Sequence, residues 1–153
     1  MPRGPELVIE ERGATRAALH VRELGERAAD PRPAFERIGR KLREAEAQWF
    51  NTHGAGRWPP LTAETADQKA AQGERAGTLI ASGALLRSLT SRSAVKVKRT
   101  ELEFGTDVPY ARFHQYGTRD APKRPPIVPA TPRVRKEMTD EVRAHVLKRG
   151  RRV

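Results

Sequence analysis

"PAFERIGRKLREAEAQWF", Pro33 to Phe50, is the stretch that decides the fold. Within it Phe35, Ile38, Leu42, Ala45 and Trp49 recur at spacings of three, four, three and four, the period of one helical face. No other segment of the chain is as regular. The spacing predicts a long helix with one buried stripe and a basic outer face at Arg40, Lys41 and Arg43. Asp30 is placed to cap it, and Pro31 is tolerated at its start because the N–H that proline lacks would be unpaired there.

Towards the N-terminus, Ala17, Val21, Leu24 and Ala28 define a shorter helical face from Thr15 onward. Before them "ELVIEE" is compatible with an edge strand. Towards the C-terminus the helical period stops at "NTHGAGRWPPLTAETADQKAAQG", whose glycines and paired prolines make a long excursion with one or two helical turns from Thr62. In "ASGALLRSLT" a short helix begins at Ser82 and Gly83, with Ser82 accepting from the first free N–H groups and Leu85, Leu86 and Leu89 facing inward.

A hairpin follows. In "AVKVK" and "ELEFGT" Val95 and Val97 point one way, as do Leu102 and Phe104, around a tight turn near Arg99 and Thr100. Lys96, Lys98, Glu101 and Glu103 occupy the other face and can pair across the strands. A second excursion, "GTRDAPKRPPIVPATP", is too rich in proline for regular structure. Thr131 and Pro132 then start a last helix, in which Val134, Met138, Val142 and Val146 repeat every fourth position. The fold class is therefore α+β: a small antiparallel sheet with packed helices and two long irregular arms. At 153 residues the chain is one domain over 1–153, with arms at about 51–78 and 117–131 and a basic, frayed tail at 148–153.

Composition narrows the function. Only 37% of residues are hydrophobic, 32% are charged and mean hydropathy is −0.73, so the core is modest. No cysteine is present, which excludes disulfides and thiolate metal sites and fits intracellular synthesis. The first residues lack a signal peptide's apolar core, no stretch is long enough to cross a bilayer, and a soluble protein with no membrane partner is expected. The net charge of +11 is uneven: residues 1–30 hold five basic and six acidic side chains, residues 119–153 eleven basic and four acidic. Arg87, Arg92, Lys96, Lys98 and Arg99 form a further block without an acid between them. Such blocks are either solvated faces or contacts with DNA or an acidic protein.

Catalytic patterns are missing. His20, His53, His114 and His145 stand far apart with no zinc-binding spacing. Neither Ser82 nor Ser88 lies in a nucleophile elbow, and "GAGRW" lacks the Lys-Ser/Thr of a phosphate loop, its glycines serving a turn instead. No carboxylate stands paired in an apolar setting that would tune its pKa. No catalytic residue, metal or cofactor is expected. The stretch "VPYARFHQYGT" holds both tyrosines of the chain. It is either a stacking platform for bases or local packing, and packing is favoured, because one helical turn after Pro109 would gather Tyr110, Phe113 and His114 before Gly117 ends it.

The order of these pieces resembles the phage virion morphogenesis, or tail-completion, family. The resemblance runs from about Phe35 to Leu147. It rests on "WPPLT" (58–62), Thr65 and Lys69, "LIASGALLRSL" (79–89), "FGTDVPYARFHQYGT" (104–118), the proline-rich segment and the terminal helix. It implies an α+β structural protein of the neck that joins head to tail or terminates the tail as a homomeric, hexameric ring. Such a protein is not an enzyme. It is made in the host cytoplasm and located in the virion, with head-tail connector and tail-tube or terminator proteins as partners.

On that resemblance the arms become ordered against neighbours. Trp58 and Leu61 anchor the first arm, and Tyr110, Phe113, His114 and Tyr116 pin the second. Where relatives carry a proline followed by an arginine and a phenylalanine, this chain has "PPIVPATP", in which Ile127 or Val128 would stand in for the aromatic. Arg87, Arg92, Lys96, Lys98, Arg133, Arg135 and Lys136 are candidates for contact with packaged DNA or an acidic partner. The competing classes are a basic nucleic-acid-binding protein acting outside the particle and an assembly chaperone absent from it.

Overall fold

The computed structural model describes residues 12–74 and 77–148. The edge strand expected at "ELVIEE" and most of the basic tail lie outside the described residues. In chain order the elements are α1 (Arg12–Ala29), α2 (Arg32–Asn51), α3 (Ala63–Ala71), α4 (Ala84–Thr90), β1 (Val95–Val97), β2 (Leu102–Phe104), α5 (Ala111–Tyr116) and α6 (Pro132–Leu147). The fold is α+β, with helices around one antiparallel hairpin.

Helix α2 is the hub, and α4, α6 and both strands pack on it. This central position corrects the single stripe expected of it. Its fully buried residues are Ala34, Ile38, Gly39, Glu46 and Phe50, while Phe35, Leu42, Ala45 and Trp49 are half-buried. A helix covered from two sides buries a line between its neighbours rather than one flank. Lys41 lies on the outer face as expected, and from there it joins Arg37 in gripping Glu141 of α6, each at 2.5 Å. Those two cations hold the Glu141 carboxyl down at about 2. Asp30 caps less than expected, since Pro31 takes the cap position. Its carboxylate, lowered to about 2, mainly binds the Arg32 guanidinium.

Other elements follow local chemistry. Thr62 and Thr131 cap α3 and α6, their hydroxyls accepting from Thr65 and Val134 N–H. Ser82 Oγ accepts from Ala84 N–H at the start of α4, which buries Leu85 and Leu89. Burial of each leucine contributes roughly 1.5–3 kcal/mol. The hairpin has the expected register: Val95 faces Phe104, Lys96 faces Glu103 and Val97 faces Leu102, with Lys98 bridging Glu101 and Glu103. Val134, Met138, Val142 and Val146 are all half-buried, as their spacing predicts. Helix α1 differs: it packs on α6, Leu24 is half-buried, and Val21 stays exposed because the cover reaches only one edge of its stripe.

Candidate assembly surface

The two excursions meet at the C-terminal end of α2. Beyond Asn51 the backbone makes a left-handed turn in which His53, Gly54, Ala55 and Gly56 all have positive φ. L-residues adopt this only at a cost of about 1–2 kcal/mol each, so the turn needs outside support. Trp58 supplies it. Its buried ring stands edge-on to Phe50 (5.3 Å) and to Trp49 (6.3 Å), and it lies so close over Gly54 that a Cβ there would sit 2.4 Å from the indole nitrogen.

Both indole N–H groups, of Trp49 and Trp58, donate to the Pro125 carbonyl at 3.0 Å. The second excursion reciprocates. Arg124 donates from Nε to Pro59 O (2.9 Å) and from Nη2 to Pro60 O (3.1 Å), while its backbone N–H donates to His114 O. Pro126 is buried beside them, and Ile127 N–H donates to Gln115 Oε1. Each proline-rich segment thus satisfies the other's carbonyls. The arms were expected to gain order against neighbouring subunits, yet they clasp each other within one chain, and the first contains the nine-residue helix α3.

One carboxylate overturns the expectation that none is tuned. Glu46 is fully buried; its Oε1 accepts from Val128 N–H at 2.7 Å, and its Oε2 has no partner among the described residues. Burial raises its pKa to about 7, the bond from Val128 opposing the shift. The signal was available in the sequence. Ala34, Ile38, Leu42, Glu46 and Phe50 repeat every fourth residue, which puts Glu46 on the line that the hub helix buries.

The anchors expected of the arms divide into two groups. Trp58 is buried, and Leu61, His114, Ile127 and Val128 are half-buried. Burial and the nearby Arg124 lower the His114 pKa. Tyr110, Phe113 and Tyr116 are 42%, 46% and 77% exposed, which corrects the packing expected of them. The helical turn forms as predicted and brings the Tyr110 and His114 rings within 6.0 Å. On this short surface helix, however, Ala111 is the buried position and His114 and Gln115 are half-buried, which leaves the other rings outside. Arg112 lies over the Phe113 ring at 4.7 Å. A shallow groove of about 460 Å³ runs between this face, the Asp107–Pro109 turn and Ile127.

The basic candidates are not gathered into one surface. Arg133 and Lys136 pair with Glu137 and Asp140 along α6, Lys98 pairs within the hairpin, and Arg87 donates to Ser82 O. Arg92, Lys96 and Arg135 are exposed. The α6 group and the hairpin group sit on separate elements that each pack against α2. Among the described residues no three His, Asp or Glu side chains cluster as a metal site requires, and no helix is long and apolar enough to cross a membrane.

Comparison with known proteins places this geometry in context. The model of the phage virion morphogenesis family matches residues 13–148. An uncharacterized protein of Methanocaldococcus jannaschii is 31% identical over 97 residues, which cover 62% of this chain and 71% of that protein. No solved structure matches.

Proposed function

Since the chain belongs to the phage virion morphogenesis family and so serves virion assembly, we propose that it is a non-catalytic subunit of a homomeric ring at the phage neck. There it completes or terminates the tail and joins it to the DNA-filled head. The observation that carries this is the outward aromatic face of α5. Tyr110, Phe113 and Tyr116 project from a short helix anchored by Ala111 in the core with Trp58 and by the bond from Arg124 N–H to His114 O. Exposed aromatics beside an arginine on an anchored support are what subunit interfaces select, because they bury large area at low cost in side-chain entropy. The hexameric state, the connector and tail-tube partners and the neck location are parts of this proposal.

Two measurements test it. Native mass spectrometry of the full chain at assembly concentrations should show one closed oligomer, with Phe113→Ser and Tyr116→Ser together leaving folded monomers. Quantitative mass spectrometry of purified tailed particles should give a small fixed copy number. Absence from DNA-filled particles would overturn the neck assignment in favour of an assembly chaperone.

A further inference from the structure

Helix α2 and strand β1 meet at Gly39, where a Cβ would stand 2.5 Å from Val95 Cγ1. Any larger residue would push the hairpin away. This close approach brings Arg92, at the entry to β1, alongside Arg40 and Arg43 of α2. The three arginines line an open groove of about 540 Å³ with half-buried Val95 and Val97, and the acid lining it is Glu36.

What sets these three arginines apart is that they share one groove without a carboxylate partner. Several other basic side chains are paired, Arg22 with Glu26, Arg27 with Glu23, Arg32 with Asp30, Arg37 with Glu141 and Arg133 with Glu137. Among the described residues, none of Arg40, Arg43 and Arg92 makes an ion pair or a side-chain hydrogen bond. Three like charges held in one groove repel one another until an anion enters, and the groove walls concentrate their field.

We infer that this groove binds the phosphodiester backbone of DNA without regard to sequence. Arg40 and Arg43 are one helical turn apart on a single face, and Arg92 approaches from the opposite wall, so adjacent phosphates of one strand can each meet a planar, two-pronged donor. The apolar floor of Val95 and Val97 suits the sugar between them. A linear polyanion supplies several charges at once to a chain of net charge +11. An acidic protein would have to bring separate carboxylates into the same register.

The test uses the full chain and a short fluorescent DNA duplex, with affinity read by anisotropy across a salt series. Arg40→Gln, Arg43→Gln and Arg92→Gln together should weaken binding at low salt by about 10- to 100-fold. They should also reduce the slope of log affinity against log salt by about 2–3, nearly one for each lost phosphate contact. Arg92→Gln alone, outside the α-helices, should lower the slope by about 1 and guards against misfolding of the triple variant. Arg133→Gln, Arg135→Gln and Lys136→Gln together should keep most of the slope. An unchanged slope in the folded Arg92 variant would overturn the assignment. So would polyglutamate binding as tightly as the duplex at equal salt, which would identify an acidic protein as the occupant. Ring formation is read by mass, so either result leaves the neck assignment to its own test.

Discussion

Trp49, Phe50 and Trp58 lie within one short span of sequence, and so do Tyr110, Phe113 and Tyr116, yet the two aromatic clusters have opposite surroundings. The first is turned inward, its rings edge-on to one another and its two indole N–H groups converging on Pro125 O. The second stands on a short surface helix whose buried position belongs to Ala111. The difference teaches that an aromatic cluster is a packing signal only when polar partners for its N–H or O–H groups arrive from elsewhere in the chain. Pro125 serves the tryptophans in that way, and among the described residues neither tyrosine hydroxyl has a hydrogen-bond partner.

Mutations can break or sharpen this contrast. Trp58→Ala should have the largest effect. Loss of the ring, of one donor to Pro125 O and of support for the left-handed turn should cost about 3–5 kcal/mol in urea unfolding. Glu46→Gln acts at the other end of the same clasp. Because the folded carboxyl titrates at about 7 against 4.5 unfolded, the native state holds the proton through that window. The contribution of Glu46 to stability is then fullest below about pH 4.5, falls as pH rises towards 7, and levels off above. The glutamine variant should lack this decline and exceed the wild type by about 3 kcal/mol at pH 8, with little difference at pH 4. A difference between variant and wild type that does not change with pH would mean that Glu46 is solvated.

Arg124→Ala removes the donors to Pro59 and Pro60. It should cost about 1–3 kcal/mol in thermal or urea unfolding and should loosen both arms together, seen as faster amide exchange at residues 58–62 and 124–128. Tyr116→Ser should do least to the monomer, within about 0.5 kcal/mol of the wild type, while abolishing the oligomer proposed above. If it destabilised the isolated chain as much as Trp58→Ala does, the contrast between the clusters would fail.

Much of the molecule was legible before its structure. The periods of α2 and α6, the threonine caps, the hairpin register with its charged outer face, and the turn of helix between Pro109 and Gly117 all follow from neighbours within about four residues. Family membership was legible as well, because the quoted motifs keep their order along the chain. The expected stripe of α2 failed by one position, since spacing reveals that a helix is amphipathic without revealing how many elements cover it. Glu46 was overlooked because a glutamate among charged neighbours reads as solvated until the helix is known to be the hub.

Local sequence settled the main helices, the hairpin register and the family, because those properties rest on near neighbours and on the order of short motifs along the chain. Tertiary structure alone decided that the two arms hold each other, that Glu46 is buried, that one aromatic cluster faces outward and that three arginines share a groove. The clasp joins groups 64 to 82 residues apart. At such separations the chain's local pattern carries no information on which donor meets which carbonyl. That is settled only when the whole chain packs around α2 and every buried polar group must find a partner.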